Sequence, residues 1–230
     1  MIKIFVIHYD KLVERKENMM KQLNDRKLEA EFVSNKGKDK LLLEEKQKFT
    51  KISDSEISLF LHHIECYKKI IEQNHDFALI LEDDAILCDK FYLKLQKYIY
   101  HLPKDWDILN IGDGDANSYV PKRVYNKYKG LINIFRKPPN AHKYTEAYLI
   151  TNEACKKIIE KFNDNKEPIN IAIDHYLRDF INCYNLKAFI CEPKLVSQGS
   201  INKTFNSSVW HSKLYDWNDL NALNTNYKNI

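Results

Sequence analysis

Three consecutive acids, Glu82, Asp83 and Asp84, close an apolar run from Ala78 to Leu81, and a second apolar pair, Ile86 and Leu87, follows at once. Carboxylates crowded between apolar segments repel one another unless a cation or hydrogen-bond donors offset the charge. A divalent ion meets that requirement. Oxygen ligands of this kind suit Mg2+ or Mn2+, which keep positions open for substrate phosphates. The alternative is a polar strand end whose acids cap the next turn. Asp174, set among apolar neighbours beside His175, is a candidate general base or else an acid favoured by the dipole of a first helical turn. Arg15 carries a guanidinium fork that matches phosphate, or is an arginine on a solvated helix face. Glu56 has capping-box spacing from Ser53, and His63 reads equally as a helix-face histidine. The turn Gly112-Asp113-Gly114-Asp115 either lines the same crevice or simply turns the chain, and it lacks the ligand spacing of an EF-hand.

The elements that must position these groups are legible from periodicity and punctuation. Ile2 to Ile7 predicts a strand, and Asp10 is set to cap a helix to about Lys27 with Leu12, Met19, Met20 and Leu23 on its apolar face. Glu31 to Ser34 predicts a second strand, which makes a βαβ unit and a parallel sheet. Lys36 to Lys51 reads as a loop and a weak helix. Ser53 caps a helix to about Gln73, with Ile57, Leu61, Ile64 and Ile71 on one face. Phe77 to Leu81 lacks any alternation, as expected of a strand buried on both faces. In an open α/β sheet the carboxyl ends of such strands form the ligand crevice, and the three acids sit there.

Further along, Asp89 is set to cap a helix ended by Pro103. Strands are expected at Trp106–Ile111, Leu131–Phe135 and Glu146–Ile150, and Asn152 caps a helix from Glu153 to Phe162. The segment after Pro168 opens a helix to about Cys183, and Lys187–Cys191 is a last strand ended by Pro193. The remainder is rich in Asn and Ser, and its aromatics, Trp210, Tyr215 and Trp217, favour a tail folded back on the domain. No dinucleotide fingerprint or phosphate-binding loop occurs, so a bound nucleotide would need another device.

The 230 residues suffice for one large domain with a real core. No apolar run nears the roughly 20 residues of a membrane helix, and Met1 to Asp10 lacks a signal-peptide pattern. Five scattered cysteines without a Cys-x-x-Cys pair point to reduced thiols in the cytoplasm and away from a zinc site. The net charge of +4 is unevenly spread: residues 116–145 contain no Asp or Glu but seven Lys and Arg, interleaved with Tyr and Phe. That stretch is either a solvated basic loop or a surface for an anionic partner such as phosphorylated glycolipid, the anionic inner membrane leaflet or nucleic acid. A basic nucleic-acid or anionic-surface binding module is therefore the rival class, and a nucleotidyltransferase is the nearer rival.

The order of these blocks resembles glycosyltransferase family 25, the bacterial lipopolysaccharide and lipooligosaccharide transferases related to collagen galactosyltransferases. The likeness is carried by Val6-Ile7-His8-Tyr9 with Arg15 to Met19, Ser55-Glu56-Ile57 with His63, Leu79 to Asp84, Trp106 to Gly112, Glu146 to Thr151, Ile173-Asp174 and Glu192 to Gln198. Ser55, Ser58 and His62 depart from it, standing where the family pattern has two glycines and a serine. The resemblance implies a single α/β domain of the GT-A-like, nucleotide-sugar-binding type, with a mostly parallel central sheet. Its catalytic part is expected over residues 1–198, with 199–230 as an extension packed on it. It implies transfer of a hexose, most often galactose from UDP-galactose, to a saccharide such as lipooligosaccharide, with inversion and no nucleic acid involved. In that picture Glu82 and Asp84 hold Mn2+ or Mg2+; His8, Tyr9, Arg15, Glu56, His63, Asp83 and Gly112 contact the donor; and Asp174 takes the acceptor proton. The expected location is the cytoplasm, at the inner face of the membrane through the basic stretch.

Overall fold

The computed structural model describes residues 2–113, 145–200 and 204–205, and the backbone path of 133–136. In chain order the described elements are β1 (Lys3–Ile7), α1 (Val13–Asp25), β2 (Glu31–Val33), α2 (Leu43–Gln47), α3 (Asp54–Glu72), β3 (Phe77–Glu82), β4 (Ala85–Leu87), α4 (Phe91–His101) and β5 (Ile108–Asn110). There follow β6 (Asn133–Arg136), β7 (Ala147–Thr151), α5 (Asn152–Asp164), α6 (Ile173–Cys183), β8 (Ala188–Glu192) and β9 (Val196–Gln198). Seven strands form one sheet in the order β2-β1-β3-β7-β5-β8-β6, while β4 and β9 pair separately and antiparallel. In the large sheet β2, β1, β3, β5 and β8 point one way and β7 and β6 the other, so the α/β sheet is mostly parallel, as expected.

The unbroken apolar run of β3 follows from its place inside the sheet. Ala78 and Ile80 pack into a core with α3, α5 and α6 on one face, through Phe60, Ile158 and Leu177. Leu79 and Leu81 face the other side, against Met19 of α1 and Phe91 and Leu95 of α4. All four β3 residues are fully buried, and a large aliphatic side chain enclosed in this way contributes about 1.5–3 kcal/mol. No helix among the described residues is long and apolar enough to cross a membrane.

Several expected caps are replaced by other devices. Asp10 does not cap α1, which begins after Leu12 without a side-chain cap; Asp10 instead pairs with Lys40. Within α1 Met20 is exposed, and the buried positions beside Met19 and Leu23 are taken by Arg15 and Gln22, because that face meets the polar crevice and the backbone of β4. Asp89 likewise makes no cap, since Lys90 occupies that position in the left-handed conformation. Thr151 rather than Asn152 caps α5, accepting from the Ala154 N–H. The Asn152 amide donates to the carbonyls of Ile70 and His75, tying α5 to the end of α3. Neither β4 nor β9 was expected from sequence; each is three residues long, and they pair with one another across more than a hundred positions rather than with the large sheet.

The expected Leu131–Phe135 strand is β6, beginning at Asn133. Most of the basic 116–145 stretch, and the extension beyond 205, lie outside the described residues. The cysteines are all free thiols.

The capping box of α3 forms as read: Glu56 accepts from the backbone N–H of Ser53 at 2.7 Å, and the Ser53 hydroxyl accepts from the Glu56 N–H at 3.3 Å. Replacing Glu56 with Ala is expected to lower the unfolding free energy by about 1 kcal/mol, by analogy with other caps. Urea denaturation measures this, and an unchanged midpoint would assign Glu56 some role other than capping.

Candidate active site

The parallel pairing of β1 and β3 sets Ile7 opposite Glu82, so the residues that follow each strand, His8 and Asp83, emerge together. Asp83 accepts from His8 Nδ1 at 2.8 Å and from Arg15 Nη1 at 3.0 Å. The same Arg15 nitrogen lies 3.8 Å from Asp84 Oδ2. One guanidinium, brought in by the first turn of α1, therefore stands between two of the three acids. All four side chains are buried.

Glu82 and Asp84 are held differently. Burial pushes Glu82 up to about 7, although Thr145 Oγ1 donates to its Oε1 at 2.8 Å. Burial, reinforced by the charge of Glu82, pushes Asp84 up to about 6. The Asp84 Oδ1 atom is buried with no hydrogen-bond partner. The Asp84 carbonyl accepts from the N–H of Gly199 at 2.8 Å, which brings the chain after β9 against the acids. A Cβ at Gly199 would lie 2.8 Å from that carbonyl oxygen and 2.7 Å from the Phe205 ring, so this close approach needs glycine.

A pocket of about 70 Å3 opens beside these strand ends, lined by Tyr9 and Arg15, by Lys38 and by Ser55, Ser58 and His62 of α3, with Glu82 and Asp83 at its floor. Lys38 Nζ lies 5.5 Å from the Tyr9 ring centre. Of the residues singled out from sequence, Tyr9, Arg15, Glu82 and Asp83 meet here. His62, which was noted only as a departure from the family pattern, lines the wall, and its Nε2 accepts from the Lys36 N–H at 3.1 Å. Desolvation pushes His62 down to about 4.

His63 does not line the pocket. It is fully buried behind it and pushed down to about 3 by desolvation, so the ring is neutral. Its Nδ1 shares a 2.7 Å hydrogen bond with the Tyr148 hydroxyl, and its Nε2 lies 3.8 Å from Glu82 Oε1. Glu56, held in its helix cap, does not line the pocket either. Gly112 follows β5, where an added Cβ would fall 2.0 Å from Glu146 Oε1, so packing against that carboxylate accounts for the glycine.

Asp174 occupies the first turn of α6, where burial raises its pKa, and its Oδ1 accepts from the His175 N–H at 2.8 Å. Asp174 does not line the pocket.

No group of three His, Cys, Asp or Glu side chains among the described residues is arranged to hold a metal ion. The fit to a divalent ion rests on a smaller set. Half-buried Glu82 and buried Asp84 both have raised proton affinity, and one Asp84 oxygen has no hydrogen-bond partner. A cation would satisfy both conditions. Mg2+ and related ions are commonly held by one or two carboxylates, with phosphate oxygens and water completing the shell. Glu82 and Asp84 fit that donor set, whereas Asp83 is already engaged by Arg15 and His8.

Human procollagen galactosyltransferase 2 is 21% identical over 258 aligned residues, covering 96% of this chain and 40% of the relative. Zebrafish (Danio rerio) procollagen galactosyltransferase 1 is 24% identical over 192, covering 72% of this chain and 30% of the relative. The chain thus spans about two fifths or less of the length of these relatives. Among solved structures, a glycosyltransferase involved in glycosylation of the major capsid of PBCV-1 superposes with a TM-score of 0.48 at 12% identity, covering 86% of this chain and 91% of that one. The profile described as glycosyltransferase family 25 (LPS biosynthesis protein) matches residues 1–177, a span that takes in β1, the three acids at the carboxyl end of β3 and Asp174. The chain belongs to glycosyltransferase family 25.

Proposed function

We propose that this protein is a metal-dependent glycosyltransferase on a GT-A-like fold that moves a hexose, galactose from UDP-galactose, to a saccharide acceptor such as lipooligosaccharide. Family membership and the names of the two procollagen galactosyltransferases support the reaction class. The observation that carries the reading is the pair of carboxylates, half-buried Glu82 and buried Asp84, at the carboxyl end of β3, with an Asp84 oxygen left without a hydrogen-bond partner and a pocket beside them that has Arg15 in its wall. Uridine would enter between Tyr9 and α3, with Asp83, itself held by His8, orienting the Arg15 guanidinium toward a phosphate oxygen.

Glu82 and Asp84 are the residues that would hold Mn2+ or Mg2+, which when bound offsets negative charge on the departing diphosphate. The acceptor hydroxyl attacks the anomeric carbon from the side opposite the diphosphate, the carbon–oxygen bond to UDP breaks, and Asp174 takes the hydroxyl proton. A carboxylate whose pKa is raised by burial is a better base near neutral pH than an ordinary one. Residues 116–145, whose charge is all positive, would receive a phosphate-bearing acceptor at the cytoplasmic face of the membrane.

A panel of UDP, GDP and CMP sugars tests the donor. With Mn2+ present, a UDP-sugar at a hundred times its dissociation constant is expected to stabilise the fold by about 2–3 kcal/mol, read as a thermal shift. Asp84→Asn should remain folded but lose the metal-dependent part of the shift. A flat panel with folded wild type would remove the donor assignment.

The pH dependence has a definite sign. Glu82 and Asp84 bind protons more tightly in the fold than their ordinary values of 4.5 and 3.8 allow. Their contribution to ligand-free stability therefore falls as pH rises through the range up to about 7. Cation binding must displace those protons, so Mn2+ affinity should rise over the same range. Thermal scans with and without Mn2+ and UDP across this range should diverge as pH increases, and parallel curves would contradict the assignment.

For Asp174→Asn the expectation is a fall in kcat of about 10^2 to 10^4-fold, with UDP-sugar binding retained. Full turnover in that variant would move the base elsewhere.

A further inference from the structure

Behind the proposed donor site a chain of buried hydroxyls reaches His63. The Tyr67 and Tyr148 hydroxyl oxygens are 2.6 Å apart, and Tyr148 is 2.7 Å from His63 Nδ1. The other ring nitrogen, Nε2, is buried without a hydrogen-bond partner and faces Glu82 Oε1 at 3.8 Å. All three aromatic residues are inaccessible to solvent, so water cannot supply the missing partners.

Counting hydrogens along this chain decides its direction. Each tyrosine has one hydrogen to donate, and the neutral imidazole has one N–H and one lone pair. Among the described residues the Tyr67 hydroxyl has no hydrogen-bond partner other than Tyr148. If Tyr148 donated to Tyr67, the Tyr67 hydrogen would be left buried with no acceptor, an arrangement that buried polar groups avoid. Tyr67 therefore donates to Tyr148, and Tyr148, its oxygen now an acceptor, donates to His63 Nδ1. The single hydrogen of the ring is then on Nε2, pointing at Glu82. The opposite tautomer would set an imidazole lone pair against the carboxylate oxygen, which is unfavourable for the ionised acid.

We propose that His63 is a positioning residue: the Tyr67–Tyr148 pair fixes it as the Nε2–H tautomer, and that N–H aims the Glu82 carboxylate at the donor site. The functional part of this inference rests on the reading of Glu82 as a ligand of the divalent ion, while the tautomer does not. At 3.8 Å the contact is longer than a hydrogen bond, and Oε1 already accepts from Thr145. The N–H thus acts as a fixed dipole behind the carboxylate, leaving Oε2 to face the ligand. Partners that orient a metal-binding group from behind commonly alter metal affinity by 10–100-fold when removed.

The test has two readouts on the whole protein. Long-range proton–nitrogen NMR on 15N-labelled protein, with His63 assigned by its absence in His63→Gln, should show the proton on Nε2. Finding it on Nδ1 would overturn the proposal whatever the enzyme does. In Tyr148→Phe the single tautomer should give way to a mixture, and the Mn2+ concentration giving half of the UDP-dependent thermal shift should rise about tenfold. His63→Gln, which can place an amide N–H near the Nε2 position, should keep more Mn2+ affinity than His63→Leu. A folded Tyr148→Phe that retains both the Nε2–H signal and the wild-type Mn2+ titration would also overturn the proposal. Failure of wild type to bind Mn2+ with UDP would remove the functional half of the inference together with the donor reading, leaving the tautomer result to stand separately.

Discussion

Strand β3 is enclosed by side chains on both faces, so its carboxyl end delivers charged residues straight from a dry core into the crevice. That constraint governs the rest of the site. Three adjacent carboxylates cannot all be ionised there without compensation. The fold engages one of them most fully: Asp83 is clasped between His8 and Arg15, while Glu82 accepts a single hydrogen bond from Thr145 and Asp84 lies 3.8 Å from the same guanidinium. The neighbours of Asp83 on either side are left with raised proton affinity. His8 and Arg15 together thereby set Asp83 apart from the two acids that would meet a ligand.

The clasp also joins pieces distant in sequence. His8 comes from the end of β1, Arg15 from the start of α1 and Asp83 from the end of β3, so strand order, helix entry and acid position must agree before it can close. The C-terminal segment adds a further tie. After β9 the chain turns at Gly199 to donate to the Asp84 carbonyl, and Phe205 returns with its ring 5.6 Å from the Arg15 guanidinium. A ring placed over a guanidinium limits where that group can swing. The match to family 25 ends at residue 177, yet these later residues reach the Asp84 backbone carbonyl and the Arg15 guanidinium.

Helix α3 shows how adjacent residues acquire different tasks. Consecutive helix positions point about 100° apart. His62 consequently lines the pocket while His63 turns into the core against Tyr148. Both are depressed below the usual histidine range by desolvation, and neither is suited to carry charge near neutral pH. Their use is as hydrogen-bonding groups of fixed orientation, which distinguishes them from the carboxylates they flank.

Much of this architecture follows from local pattern. The βαβ start, the capping box at Ser53 and Glu56 and the apolar run before Glu82 depend on spacing between near neighbours, and an alternation or its absence reports how many faces of a strand are covered. The amino-acid order by itself therefore determined the helices and most strands, the clustering of three acids at a strand end, and the succession of blocks that marks family 25. It did not reveal that Arg15 would serve Asp83, that His62 and not His63 would line the pocket, or that β4 and β9 would pair. Those outcomes depend on residues separated by more than 60 positions, as in the Arg15–Asp83 contact, and on which side of a helix faces the sheet. The raised proton affinity of Glu82 and Asp84 was decided by tertiary structure alone, because desolvation is a property of everything packed around a group and is written in no single stretch of chain.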